Sequence, residues 1–182
     1  TVSSTAPINN SSVRSGTRVS VGAIASDDVG IVGVQFKANN TNIGSEDTIA
    51  SYSAVLDTTS LSEGAYTLTA TARDYVGNLT TSNPVTITVD NTLPVLSTIT
   101  VIPSYGTSTI SWLTDEPATT QIIYGTTTSY GLATALVSTL TTNHSQTLIN
   151  LLPSKTYHFM VKSQDKAGNI ATSSSSFQTL EP

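Results

Sequence analysis

The chain has 182 residues, of which only 10% are charged, and its formal net charge is −5. It lacks any run of basic residues, which excludes binding to a nucleic-acid backbone, because such binding needs clustered positive charge. It has no cysteine and only short apolar runs, which exclude disulfides, cysteine-based zinc sites and direct insertion into a membrane.

The first half of the sequence predicts a series of short β-strands. Ser and Thr make up about a third of the chain, and the β-branched side chain of Thr suits a half-exposed strand. Segments in which apolar residues alternate with polar ones are separated by Gly, Asn, Asp and Pro. The predicted strands lie at 2–5, 17–25, 31–38, 43–46, 51–56, 66–73 and 85–89.

The second half of the sequence repeats this scheme. Asp115, Glu116 and Pro117 are expected to interrupt it, and a loop rich in Gly, Thr and Ser is expected up to Gly131. The predicted strands lie at 95–102, 107–113, 121–124, 145–151, 157–163 and 175–179. About seven short strands in each half are typical of a β-sandwich.

Two stretches, YTLTATARDYVGN (66–78) and YHFMVKSQDKAGN (157–169), match at their Tyr, Asp, Gly and Asn with a constant offset of 91 residues. The repeat predicts two domains, at 1–90 and 95–182, joined by a short linker at 91–94. Each Asp-x-x-Gly-Asn motif predicts a turn, and the Tyr eight residues before each Asp predicts a tyrosine corner. We therefore interpret the repeat as a feature of the fold and not as a catalytic site.

Residues 1–90 resemble bacterial immunoglobulin-like domains in SGTRVSVGAIASDDVGIVGVQF and in YTLTATARDYVGN. Residues 95–180 resemble bacterial fibronectin type III domains in TISWLTDEPATTQIIYGTTTSYG and LLPSKTYHFMVKSQDKAGN. The resemblance implies an all-β protein made of two tandem immunoglobulin-like/fibronectin type III-like β-sandwiches. Such domains usually serve as spacers or as adhesive and ancillary modules of large secreted enzymes and surface proteins.

The predicted function is a non-catalytic spacer or adhesion module of a larger bacterial protein that is secreted or displayed on the cell surface. Its predicted partners are the neighbouring domains of the parent chain and a polysaccharide or other cell-surface polymer. One alternative is a carbohydrate-binding ancillary module of a secreted polysaccharide-degrading enzyme. Another is a self-assembling structural subunit of an extracellular filament or phage tail, joined through sheet edges.

Candidate catalytic residues are few. His144 and His158 are the only histidines, they lie on different predicted strands, and no carboxylate is close to either in sequence. A general base or metal ligand usually needs a partner that orients it. Trp112 alternates with Ile110 and is predicted to pack in the core. The sequence therefore predicts no catalytic residue and no enzyme.

A carbohydrate-binding face would need several exposed aromatic rings. The tyrosines that could supply such a face lie in predicted loops or at strand ends: Tyr75, Tyr105, Tyr124 and Tyr130.

Carboxylates and amides concentrate near the predicted linker. In a β-sandwich the loops after the second and sixth strands share one end, which brings acidic residues of the second domain towards the linker. Calcium takes six to eight oxygen ligands in flexible geometry. The residues that would supply oxygen ligands for calcium at the domain joint are Asp90, Asn91, Asp115, Glu116 and Asp165.

Overall fold

The computed structural model describes residues 1–181 and divides the chain into two compact units, a first unit at Thr1–Asn91 and a second unit at Thr92–Pro182. Pro182, the end of the predicted second domain, lies outside the described residues. All regular elements within the described residues are β-strands, which confirms the predicted all-β class. No helix long and apolar enough to span a membrane occurs in this part of the chain.

The first unit contains nine strands in two sheets. The strands are β1 (Val2–Ala6), β2 (Ser11–Val13), β3 (Arg18–Ala25), β4 (Ile31–Ala38), β5 (Thr41–Asn42), β6 (Tyr52–Asp57), β7 (Gly64–Asp74), β8 (Leu79–Thr81) and β9 (Val85–Val89). One sheet has the order β1-β3-β6, and the other has the order β2-β9-β7-β4-β5, with β8 paired to β7. All pairs are antiparallel except β2 with β9, which are parallel.

The core of the first unit lies between these two sheets. Each long strand contributes alternate residues, because successive side chains of a strand point to opposite faces of the sheet. The fully buried members include Val21, Ala23, Val34, Phe36, Ala70, Ala72 and Ile87. Tyr66 is partly buried and packs against this core, and its hydroxyl donates to the carbonyl of Ser62 over 3.1 Å. This bond confirms the first predicted tyrosine corner.

Residues 92–181 of the second unit contain six strands. They are β10 (Leu96–Pro103), β11 (Ser108–Gly125), β12 (Leu132–Ala133), β13 (Val137–Leu148), β14 (Thr156–Gln164) and β15 (Ile170–Gln178). The first half of β11 pairs with β10 and β13, whereas its last residues pair with β12 and β14. β15 pairs with β14 along its whole length. The strand β11 therefore connects all the other strands of this unit's six-stranded sheet, which has the order β10-β11-β14-β15 with β12 and β13 also paired to β11.

The core of the second unit follows the same alternation as the first. Its buried residues are Ile110, Trp112, Ile122, Leu148, Leu151, Tyr157, Phe159, Val161 and Phe177. The hydroxyl of Tyr157 accepts the N–H of Leu152 over 3.0 Å, which confirms the second tyrosine corner. The prediction that Trp112 packs in the core is also confirmed, since its side chain is 1% exposed.

Several strand predictions were wrong: β15 begins five residues before the predicted strand at 175–179, and β8 and β12 were not predicted. The expected interruption at Asp115–Pro117 does not end the strand, because the pairing of β11 with β13 shifts register there and a bulge accommodates Pro117. The predicted edge strand at 43–46 is replaced by β5, two residues earlier. β13 begins eight residues before the predicted strand at 145–151, and β2 lies within a predicted loop. These errors fall on segments without clear two-residue alternation.

Candidate functional site

The Asp165 turn joins β14 to β15 in the second unit. Oδ1 of Asp165 accepts the N–H groups of Gly168 (2.7 Å) and Asn169 (2.8 Å), and Oδ2 accepts the Asn169 side-chain amide (2.7 Å). Gly168 has φ +98°, a conformation that glycine adopts at little cost. The Asp165 side chain is buried, with 5% of its surface exposed. Each residue of the motif is therefore used to form the turn, as the sequence predicted.

The Asp74 turn is the equivalent in the first unit. Oδ1 of Asp74 accepts the N–H groups of Val76 (2.9 Å) and Asn78 (2.8 Å), and Oδ2 accepts the side-chain amide of Asn78 (2.8 Å). Burial by itself raises the pKa of the Asp74 carboxyl, but the hydrogen bonds from Asn78, Val76 and Gly77 together lower it below its ordinary value. The repeat thus encodes the same turn twice.

The bulge of β11 holds Asp115 and Glu116. Oδ1 of Asp115 accepts the N–H of Val95 over 2.7 Å, and the backbone N–H of Asp115 donates to the carbonyl of Val95 over 3.3 Å. The Asp115 side chain therefore fastens the start of the second unit to β11. This use of Asp115 was not predicted, because its partner is 20 residues away in sequence.

Of the acidic residues predicted for calcium in the second unit, the structure brings Glu116 and Asp165 together. Each offers a carboxylate oxygen, and these oxygens lie within 4.8 Å of each other. Two carboxylates at this separation repel one another unless a proton, a basic group or a cation compensates. Oxygen atoms of this kind are the ligands that calcium takes in proteins.

The two predicted calcium ligands of the first unit follow β9. The backbone N–H of Asp90 donates to the carbonyl of Val13 over 2.9 Å, and Oδ1 of Asn91 accepts the N–H of Ser15 over 2.8 Å. The backbone N–H of Asn91 is 3.4 Å from Oε2 of Glu63. The amide oxygen of Asn91 thus already has a partner within its own unit. Calcium binding by the five-residue set stays a prediction.

His144 lies in the interior of the second unit, where it is 3% exposed. Its Nε2 is 2.9 Å from Oγ1 of Thr114, and its Nδ1 is 2.6 Å from Oγ1 of Thr120. Because the Thr114 hydroxyl donates to the carbonyl of Glu116 (2.7 Å), Nε2 carries the proton and Nδ1 accepts from Thr120. The ring also stacks on Trp112, with centroids 5.1 Å apart. Both ring nitrogens are thus bonded to threonine hydroxyls on either side of the β11 bulge.

The neutral form of His144 suits this environment, and burial lowers the pKa of its imidazole below the ordinary value of 6.5. An unfolded chain therefore takes up this proton before the folded one does. We expect the contribution of neutral His144 to the free energy of unfolding of the second unit to be fully present above about pH 6.5. This contribution should decrease as the pH falls towards the folded pKa, by no more than about 1.4 kcal/mol per pH unit.

Denaturant unfolding between pH 5 and 8 checks this expectation by comparing the natural chain with His144→Gln. Both proteins keep His158, so the comparison isolates the effect of residue 144, and the first unit contains no histidine. The variant should show a flatter dependence of the free energy of unfolding on pH. Equal slopes in the two proteins would contradict the buried neutral histidine.

The four tyrosines considered for carbohydrate binding differ in exposure. Tyr75 in the first unit is 73% exposed and Tyr105 in the second is 58% exposed. Tyr124 and Tyr130 are half-buried, and the Tyr130 hydroxyl donates to Oγ of Ser174 over 3.0 Å. The two well-exposed rings therefore belong to different units.

Two family models match the chain. A model described as a bacterial Ig domain matches residues 1–70, and a model described as a bacterial Ig-like domain (group 3) matches residues 50–124. No curated protein is similar to the chain in sequence.

Solved structures of similar fold cover almost the whole chain. The fibronectin(III)-like modules of Clostridium thermocellum CbhA superpose with a TM-score of 0.62 at 16% identity, covering 99% of this chain and 94% of that one. The FN1–FN3 domains of chicken CNTN1 superpose with a TM-score of 0.51 at 18% identity, covering 97% of this chain and 69% of that one. At these identities the likeness concerns the fold alone.

Proposed function

Because the chain is built from immunoglobulin-like and fibronectin III-like β-sandwich domains, we propose that it is a non-catalytic spacer or adhesion module of a larger secreted or cell-surface bacterial protein. One observation carries this proposal: the side chains that could serve in a catalytic or binding site instead make hydrogen bonds and packing contacts that stabilise the fold. Asp74 and Asp165 form turns, Trp112 fills a core, and His144 is bonded to two threonines.

The amino-acid composition of the chain supports the same proposal. Richness in Ser and Thr with few charged residues and no cysteine is common among bacterial surface and secreted proteins. In this role the partners are the neighbouring domains of the parent chain and a polysaccharide or other surface polymer. The module would act by holding a neighbouring domain at a distance.

A spacer has to resist extension, and stretching the whole chain by its two ends in a single-molecule experiment tests this property. Each unit spans 91 residues. We expect two separate unfolding events, each releasing about 300 Å of chain length at about 3.6 Å per residue. Extension without a resolved event would contradict the spacer function. Retention of the chain on an insoluble polysaccharide would instead favour the carbohydrate-binding alternative.

Calcium binding is a second proposal, favoured by the approach of Glu116 to Asp165 in the second unit. A cation that binds the folded chain alone, at 100 times its dissociation constant, stabilises that chain by about 2.7 kcal/mol. We expect calcium to raise the midpoint of thermal unfolding, and EDTA to reverse the rise.

Glu116→Gln should abolish the effect of calcium, whereas Glu181→Gln, which alters an exposed glutamate elsewhere in the second unit, should not. Asp165 is less suitable for this test, because its replacement would also disrupt the turn. Identical unfolding curves in calcium and in EDTA would remove the calcium proposal and leave the spacer function untouched.

A further inference from the structure

The edge strands of the described residues differ in how they are protected from pairing with another chain. An edge exposes backbone N–H and C=O groups, and proteins protect it with short strands, bulges, proline or charged side chains. β2, β5, β8 and β12 have three residues or fewer, and β1, β10 and β13 have irregular pairing. At the edge of β6, the outward N–H of Ser53 donates to the carboxylate of Asp47 over 2.8 Å.

β15 has none of these devices in its own sequence or pairing, and within residues 1–181 only the end of this edge is covered, where the N–H of Leu180 donates to the carbonyl of Ser104 beside β10 over 3.2 Å. β15 pairs with β14 through nine consecutive residues without a register shift. Its sequence, IATSSSSFQ, contains neither proline nor an ionisable side chain. A long, regular and uncharged edge is the kind that accepts an additional strand.

The hydrogen bonds at the two ends of the β14–β15 hairpin show which residues of β15 face outward. The N–H of Asp165 donates to the carbonyl of Asn169, and the N–H of Thr179 donates to the carbonyl of Lys155. Because bonding alternates along an antiparallel pair, the odd-numbered residues of β15 bond to β14. The backbone groups of Thr172, Ser174 and Ser176 therefore point to the open edge, and within residues 1–181 they have no backbone partner there.

We infer that this edge is a self-association surface, at which β15 pairs with β15 of a second copy of the chain in antiparallel orientation. A two-fold axis at Ser174 would place Thr172 opposite Ser176 of the other copy. Three outward residues on each copy would then exchange about six backbone hydrogen bonds, at two per bonded pair. The sheets of the two copies would then join through β15 into one continuous sheet.

Two features favour a second copy over an unrelated strand. The chain carries a net charge of −5, but β15 has no charge, so two copies meet there without close like-charge repulsion. The outward residues Thr172, Ser174 and Ser176 carry small hydroxyl side chains, which pair well with one another across strands, and the hydroxyl of Ser174 also accepts from Tyr130 over 3.0 Å.

One paired edge is a small contact compared with the roughly 1,600 Å² of a standard interface, so association should be weak and should appear at high protein concentration. This surface would add lateral contacts to the module, and it does not depend on the proposed spacer function.

Sedimentation velocity over a range of protein concentrations tests the inference with the whole chain. The natural chain should sediment faster as its concentration rises, whereas Thr172→Pro and Ser176→Pro should not. Each substitution removes an outward N–H that makes no backbone bond within residues 1–181, a position at which edge strands tolerate proline. Circular dichroism would verify that the variants fold. Concentration-dependent association that persists in the folded variants would overturn the inference.

A second measurement does not rely on the folding of the proline variants. Because the chain has no cysteine, Ser174→Cys introduces a single thiol at the proposed two-fold axis. Under mild oxidation it should form disulfide-linked dimers much faster than Ser129→Cys, which places a thiol in an exposed loop of the same unit. Equal rates for the two variants, together with a natural chain that stays monomeric, would overturn the inference.

Discussion

Replacement of Trp112 by alanine is expected to lower the free energy of unfolding of the second unit by about 3–5 kcal/mol. The side chain is fully enclosed, its Nε1–H donates to Oγ of Ser163 over 3.0 Å, and its ring stacks on His144. Truncation would remove these contacts, leave a cavity and deprive the buried hydroxyl of Ser163 of its hydrogen-bond donor. The first unit should unfold as before.

Calorimetry or circular dichroism has to follow this transition, because Trp112 is the only tryptophan and its fluorescence disappears with it. Tyr105→Ala is the matched control, since it removes an exposed aromatic ring from the same unit and should change stability by less than about 0.5 kcal/mol. A similar small loss for Trp112→Ala would mean that the ring does not fill the core.

Replacement of Asp165 by alanine should have the second largest effect, a loss of about 3 kcal/mol from the second unit. The carboxylate accepts the backbone N–H groups of Gly168 and Asn169 together with the amide of Asn169. Alanine would leave these buried donors poorly satisfied, and unsatisfied buried donors are costly. Asp165→Asn keeps one acceptor oxygen and should lose less.

Hydrogen exchange gives a second readout for Asp165→Ala, because the amide of Asn169 should become less protected. Asp74→Ala should weaken the first unit in the same direction through the equivalent bonds. Unchanged stability and unchanged exchange in Asp165→Ala would contradict the role of this carboxylate in the turn.

The parts of the fold that depend on near neighbours in sequence were predictable. The turns at Asp74 and Asp165 use bonds that span four residues or fewer, and each residue type of the motif has a local reason to be there. The buried faces of β9 and of β4 from Val34 onward follow from alternation, and the bounds of both strands agree with the predicted strands.

The parts that depend on distant residues were not predictable. His144 is bonded to threonines that precede it by 24 and 30 residues, and nothing near it in sequence indicates these partners. Asp115 accepts the N–H of Val95, which is 20 residues away, and no feature of its neighbours in sequence indicates this bond. The bulge that lets β11 continue through Pro117 likewise depends on its pairing with β13.

Composition and two-residue alternation by themselves determined that the chain is all-β, which side chains fill the two cores, and where the two equivalent turns lie. These properties follow from the local preferences of each residue and from the burial of every second side chain. Only the tertiary structure decided the order of the strands, the enclosure of His144, the approach of Glu116 to Asp165 and the unprotected edge of β15. Each of these results from pairing between segments far apart in sequence, and the pattern within a single strand does not specify its partner.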